Sequence, residues 1–301
     1  MAAAVTGGRS IVRDLYAPHE GARVMSRALT GLGIIAISSP VIGAVLVQWV
    51  SWHATLAVLA VFGAVALGMV ALRFEETAPV LNPAATRLGP MLRNWRTVAS
   101  NRTFQAWALL SLLTYGGLFV TLAGSSFVII GVLGHSRLAY GAFLLSSSIA
   151  YTSGTILCRR LLLSRGLRGA VAVGGGLTLA GGLSMAVVSL AGVHSIWAIA
   201  ASQWLFAMGH GIHQPCGQAG AVGPFPEKAG TAASLSGFGM SVSAFAVGLW
   251  LGRALDGTVY PLTLGVGAFS IGVAVVAWTL VQWHGDPHGH PQGKPLVPSD
   301  T

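Results

Sequence analysis

The chain has 301 residues, of which 53% are hydrophobic and 8% charged, with a formal net charge of +9. Soluble domains carry about 25% charged residues, so this composition, with a mean hydropathy of +0.71, excludes a water-facing surface and points to an integral membrane protein. The basic excess is sorted by loop rather than gathered into a patch, which argues against a nucleic-acid partner.

Residues 1–28 hold Arg9, Arg13, Asp14, Arg23 and Arg27 and read as a cytoplasmic N-terminal segment. "MAAAVTGGRS" has no apolar stretch of the kind a signal peptide needs. Its small residues running into "RSIVRDLY" look like the last turns of a helix whose beginning is absent. Between Arg27 and Arg73 there is no Asp, Glu, Lys or Arg. A spanning helix needs roughly 20 apolar residues, so this gap holds two. It divides near Ser51-Trp52-His53, predicting spans near 29–50 and 54–73 within residues 29–74. Pro40 and Gly43 sit inside the first: proline removes a backbone hydrogen bond and strains the turn before it, while glycine lets another helix come close.

Residues 75–102 form the longest polar connection, a cytoplasmic central loop. Residues 103–284 then carry six further spans, near 104–127, 138–158, 170–191, 195–221, 230–252 and 261–283. All are continuous and rich in Gly, Ala, Val and Leu, without the short period-2 segments of a membrane barrel. The fold class is therefore all-α, about eight transmembrane helices. Residues 285–301, "WHGDPHGHPQGKPLVPSDT" from its Gly onward, read as a disordered cytoplasmic tail; its histidines are expected to be exposed rather than metal-binding.

With the N-terminus on side one, alternate sorting puts the arginines of residues 1–28, Arg73, Arg87, Arg93, Arg96, Arg102, Arg159, Arg160, Arg165, Arg168, Lys228 and Lys294 on that side. Only Arg137 and Arg253 fall on the other. The positive-inside rule makes side one the cytoplasm, with both termini there. The cysteines, Cys158 and Cys216, lie toward the cytoplasmic ends of spans and do not suggest a disulfide framework.

"FAMGHGIHQPCGQAG", Phe206–Gly220, reads at first like a metal site. At ~100° per residue, His210 and Gln214 fall within roughly 20° of Gln203. His213 is then about 60° and Cys216 about 120° from His210. Zinc needs ligands that converge on one centre; His210 and His213 could share an ion, but Cys216 points elsewhere, and no metal or other cofactor is expected. Gln203, His210 and Gln214 instead make a polar stripe, and such stripes face a bundle interior or a wet cavity. They are read either as substrate-facing or as internal helix–helix hydrogen bonds. Ser111, Thr114, Tyr115, Thr121 and Ser125 cluster more mildly along the span from Thr103, where the hydroxyls either face a cavity or bond back to the preceding turn. Gly248 and Gly252 make a small-xxx-small step, and Gly174–Gly182 is glycine-dense; both predict close helix crossing.

Four landmarks carry a family resemblance. They are "GGRSIVRDLYAPHEGARVMS", "SSPVIGAVLVQWVSWHATL", "RFEETAP" and "PFPEKAGTAASLSGF", in that order. Together they resemble the bicyclomycin/chloramphenicol resistance (Bcr/CflA) multidrug efflux branch of the major facilitator superfamily. The resemblance implies a major-facilitator-type bundle, with this chain holding the equivalents of the fifth to twelfth helices and lacking the first four. In the fifth-helix motif, Ser39 and Ala44 stand where relatives often have Gly. "CRRLLLSRGLRG" resembles the family's second-half cytoplasmic motif without its acid.

The resemblance also implies roles for individual residues. By it, the helix holding Gln203, His210, His213 and Gln214 is the tenth and lines the central cavity, with Pro215 where the family tends to have a proline. The helix holding Ser111, Tyr115 and Phe119 is the seventh, whose aromatic rings could stack on a flat apolar drug. Pro40 and Gly43 form the antiporter bend, and Arg13, Asp14, Arg159 and Arg160 serve a cytoplasmic gate or set topology. The function expected from the resemblance is multidrug efflux of the drug/proton antiport class in a bacterial inner membrane: small toxic compounds leave by alternating access, with a proton as coupling ion. No predicted span holds an Asp or Glu, so this short form is expected to be incomplete. The alternatives are a non-transporting remnant that packs against another transporter chain, or a metal-dependent membrane enzyme. The sequence offers no nucleophile–base pair or phosphate loop for enzymatic chemistry.

Overall fold

A computed structural model describes residues 41–73, 88–225 and 228–286, with isolated positions 11, 15, 24, 35, 38, 39 and 75 besides. Pro40, Arg13 and Asp14 lie outside the described residues, as do residues 287–301 of the tail. Among the described residues there is no strand.

A helical run at 41–49 ends at Val50. Ser51 then caps the next helix, its hydroxyl accepting from the Ala54 amide at 3.3 Å. That helix, α1, is Trp52–Arg73. Its most apolar stretch is covered by no other part of the described chain. A Cβ added at Gly43 would likewise meet nothing within 4 Å among the described residues.

A short amphipathic helix, α2 (Leu88–Ala99), precedes the bundle. Asn101 caps α3 (Arg102–Ser126), its side chain accepting from the Phe104 amide at 3.0 Å. The helix continues as a π-helical turn over Phe127–Val132, so the continuous element is longer than the predicted 104–127.

The next element, α4, runs Arg137–Leu190 over 54 residues. The spans predicted at 138–158 and 170–191 are its two arms, α4a before Gly166 and α4b after it. The expected loop over Arg159–Arg165 is helical instead, because nothing breaks the helix before Gly166. There the backbone turns to φ 65°, ψ −174°, a left-handed conformation that favours glycine. The bundle is completed by α5 (Ile196–Val222), α6 (Ala229–Ala254), α7 (Tyr260–Trp278) and a final turn, α8 (Leu280–His284).

Partner positions give the directions. Ser146 meets Trp204, Gly154 meets Met208 and Cys158 meets Cys216, so α4a and α5 run parallel. Thr178 meets Gly209 and Gly174 meets His213, so α4b runs antiparallel to α5. Both follow from the reversal at Gly166. The α3–α5 pair is antiparallel, since Thr114 meets His210 and Thr121 meets Gln203.

Close approach depends on glycine at specific points. A Cβ on Gly154 would collide with the Met208 carbonyl, and one on Gly211 with the Tyr151 carbonyl. The α4a–α5 crossing is thus backbone against backbone, as small residues permit in lipid. Gly248 and Gly252 behave differently from expectation: a Cβ at either would meet nothing within 4 Å among the described residues. Their spacing marks a flat strip on α6, but no described helix lies on it.

Five described helices are long and apolar enough to cross a membrane, α4 counting as one although it folds back on itself. The 27 residues of α5 hold no charged side chain; its glutamines and histidines dilute its hydropathy. The all-α membrane bundle read from the sequence is the architecture observed.

Candidate functional site

The predicted polar stripe lies on α5, which has α3 on one side and both arms of α4 on the others. Gln203 is 1% exposed and His210 2%, so neither is solvated. Each is matched by a hydroxyl of α3. The Thr121 hydroxyl donates to the Gln203 side-chain oxygen at 3.1 Å. Thr114 Oγ1 lies 3.0 Å from His210 Nδ1. The other face of His210 is covered by Tyr151 of α4a, with ring centroids 5.6 Å apart. The Tyr151 hydroxyl donates in turn to Gln214 Oε1 at 2.6 Å. Gln214 and Tyr151 are half-buried. The seam therefore runs Thr121–Gln203, Thr114–His210, Tyr151–Gln214, descending α5 and passing from α3 to α4a.

His213 does not join it. It is buried against α4b, where Nε2 donates to the Val171 carbonyl at 3.3 Å and the ring fills the space opposite Gly174. Its Nδ1 has no partner. His210 and His213 thus address different neighbours, and among the described residues no three His, Cys, Asp or Glu side chains gather as a metal would need. Cys216 turns to Cys158 of α4a, the two sulfurs 3.5 Å apart.

Ser111 is buried, its hydroxyl donating to the Trp107 carbonyl one turn back at 2.9 Å, with Gly217 of α5 packed over it. This is the back-bonding alternative, and it leaves the Ser111 hydroxyl closed off. Tyr115 and Phe119 are half-buried, one turn apart on α3, with ring centroids 6.5 Å apart. Pro215 is exposed on α5 and denies the Gly211 carbonyl its helical donor. Arg159 and Arg160 are exposed on the extension of α4a. Pro40, Arg13 and Asp14 have no described place. Arg168 has a definite one: its guanidinium donates to the Gln282 carbonyl at 3.0 Å, and the Gln282 amide returns to the Arg168 carbonyl at 3.2 Å. That reciprocal clamp ties the start of α4b to α8.

Tyr151 is the residue the sequence reading passed over. The signal was present: it stands in "SSSIAYTSGT", the most hydroxyl-dense stretch of any predicted span. The Ser and Thr around it bond back to their own helix, as Ser147 does to the Phe143 carbonyl at 2.9 Å. Tyr151 is too long to do so and reaches α5.

Chemically the site is a neutral hydrogen-bonding seam set in an apolar bundle. It can orient a polar group of a small molecule.

Residues 1–249 match the family described as Major Facilitator Superfamily. The chain is similar to the "Bicyclomycin resistance protein homolog" of Haemophilus influenzae, 25% identical over 281 residues, covering 92% of this chain and 69% of that protein. It is also similar to "Multidrug resistance protein D" of Escherichia coli, 28% identical over 230 residues, 76% of this chain and 57% of that protein. To the "Chloramphenicol resistance protein" of Pseudomonas aeruginosa it is 24% identical over 221 residues, 73% and 52% respectively. The chain thus spans about two thirds of the first and little more than half of the other two.

Proposed function

Because the chain belongs to the major facilitator superfamily, we propose that it works in multidrug efflux, carrying small toxic compounds outward by alternating access in exchange for protons. The relatives' names, resistance to bicyclomycin, to chloramphenicol and to multiple drugs, support the cargo class. The single observation that carries the reading is the α3–α5–α4a seam. Buried polar side chains inside membrane helices are costly and mark substrate or ion pathways. Here Thr114, His210, Tyr151 and Gln214 form one connected line that ends in half-buried groups. A cavity-facing role belongs to Tyr151 and Gln214, and the half-buried rings of Tyr115 and Phe119 on α3 are read as apolar stacking surfaces. His210 and Gln203 stand behind as the groups that fix α5 against α3.

The chain is read as lying in a bacterial inner membrane with both termini in the cytoplasm. The test is expression in an efflux-deficient bacterial host challenged with a panel of inhibitors, alone and together with a full-length homologue. Gln214→Ala and Tyr151→Phe are expected to change which compounds are tolerated without lowering the amount of protein in the membrane. A resistance spectrum identical to the parent chain's in both variants would overturn the cavity assignment. If resistance appears only with the homologue, the chain acts as a partner of another transporter.

A further inference from the structure

The helix α2 is not part of the transport seam, and its residues are arranged for a different neighbour. At ~100° per residue, Leu88, Met91, Leu92, Trp95, Val98 and Ala99 share one face, and Gly89, Arg93, Asn94, Arg96 and Thr97 the other. The bundle covers only one edge of the apolar face. Val98 is 0% exposed, but Leu92 is 57% and Trp95 38% exposed. The open apolar edge is the one bordered by Arg93 and Arg96, which are exposed themselves. Neither arginine is paired with a carboxylate among the described residues, and the sequence has no acid between Glu76 and Glu227.

Position fixes what this face meets. Only Ser100 and Asn101 separate the end of α2 from Arg102, where the spanning helix α3 begins. So α2 lies at the height of the lipid headgroups. An exposed Leu–Trp edge there faces the acyl boundary, where tryptophan is favoured, and the adjoining arginines face the phosphates. This is the pattern of a helix lying in the interface, held by apolar burial and by attraction to anionic lipid.

We propose that α2 is a lipid-recognition helix: Leu92 and Trp95 insert at the interface, and Arg93 and Arg96 bind the headgroups of anionic phospholipid. The two guanidiniums stand three residues apart on neighbouring helical turns. Each basic residue near such a surface contributes on the order of a several-fold preference for anionic lipid. Val98, buried against the bundle, anchors the other edge of the helix.

The experiment uses the full chain reconstituted in phosphatidylcholine vesicles with a minority of phosphatidylglycerol. One preparation carries brominated phosphatidylglycerol; the other carries brominated phosphatidylcholine at the same mole fraction. The Trp95 contribution is the difference between the parent chain and Trp95→Phe. That contribution is expected to be quenched, and quenched more by the brominated phosphatidylglycerol. Replacing both arginines (Arg93→Gln with Arg96→Gln) is expected to cut the preference at least about fivefold, while Arg253→Gln leaves it unchanged. Quenching of the remaining tryptophans reports that each variant is folded in the bilayer. The proposal fails if Trp95 is quenched by neither lipid, if the two lipids quench it equally, or if the double arginine variant keeps the preference.

Discussion

Thr114 and His210 meet side chain to side chain, Oγ1 to Nδ1 at 3.0 Å, across the antiparallel α3–α5 pair. Seven residues along α3 and seven back along α5, Thr121 and Gln203 meet the same way at 3.1 Å. Two heptad-spaced bonds make a register lock. A sliding of one helix by a turn would break both at once and leave four buried polar groups in a low-dielectric interior.

That lock has a measurable strength. Interhelical side-chain hydrogen bonds in membrane proteins average about 0.6 kcal/mol and reach about 1.7. A double-mutant cycle of Thr114→Val and His210→Ala, read by denaturant unfolding in detergent, is expected to give a coupling in that range. The Thr121→Val and Gln203→Leu cycle should give a similar value. Additive single effects at both pairs would mean that the seam does not fix helix register.

Glycine contacts divide into those that hold the bundle and those that do not. Gly154→Ala places a methyl on the Met208 carbonyl; overpacking of this kind costs about 1–3 kcal/mol. A Cβ at Gly176, on the other arm α4b, would meet nothing within 4 Å. Gly176→Ala should therefore be neutral or stabilising by up to about 1 kcal/mol through helix propensity. Melting temperatures of the two variants in one detergent check the contrast, and equal destabilisation would contradict the α4a–α5 crossing.

The overall bundle was legible because charge is so scarce. Charged residues bound the uncharged gaps, and the helices opening at Arg102 and Arg137 and those after Lys228 and Asp256 fall where the gaps put them, while the break at Ser51 was legible from the polar Ser51-Trp52-His53 inside a gap. The Arg159–Arg165 stretch misled because charge marks where the membrane ends, not where the helix does; only Gly166, with its positive φ, stops it. At the site, angular position on α5 grouped Gln203, His210 and Gln214. It could not say that these would be met by different helices, nor that His213, only about 60° from His210, would face α4b. Gly248 and Gly252 show the converse limit: a spacing that permits packing does not supply the partner.

Outside the membrane, Asp256 gives a pH prediction. Its carboxylate accepts from the Thr258 hydroxyl at 2.6 Å and the Thr258 amide at 3.0 Å. The hydroxyl bond, then the amide bond, holds its pKa below the usual carboxylate value. A depressed folded pKa means the turn is supported above the unfolded value and loses that support as pH falls through the folded one. Amide exchange at Thr258 should therefore rise, beyond the intrinsic pH effect, as solutions are taken below roughly pH 4. Asp256→Asn should flatten that rise; an unchanged profile would show that the carboxylate does not organise the start of α7.

The Cys158–Cys216 pair tests whether α4a and α5 move as one body. Their sulfurs are 3.5 Å apart and both side chains are buried. A disulfide would draw them to roughly 2 Å. A small membrane-permeant thiol oxidant of the diamide class is expected to join them: each thiol loses a hydrogen, and the diamide is reduced to the hydrazine. Intact mass then shows the loss of two hydrogens, and Cys158→Ser prevents it. The backbone contacts at Gly154 and Gly211 already hold these helices together, so the proposed transport cycle is expected to leave them joined. Efflux by the oxidised chain, in the host assay that registers transport, should therefore match that of the reduced chain, while stability rises by about 2–4 kcal/mol. A fall in efflux that a thiol reductant reverses would show instead that α4a and α5 part during the transport cycle. In that case the Tyr151–Gln214 bond across them would be one that transport must break.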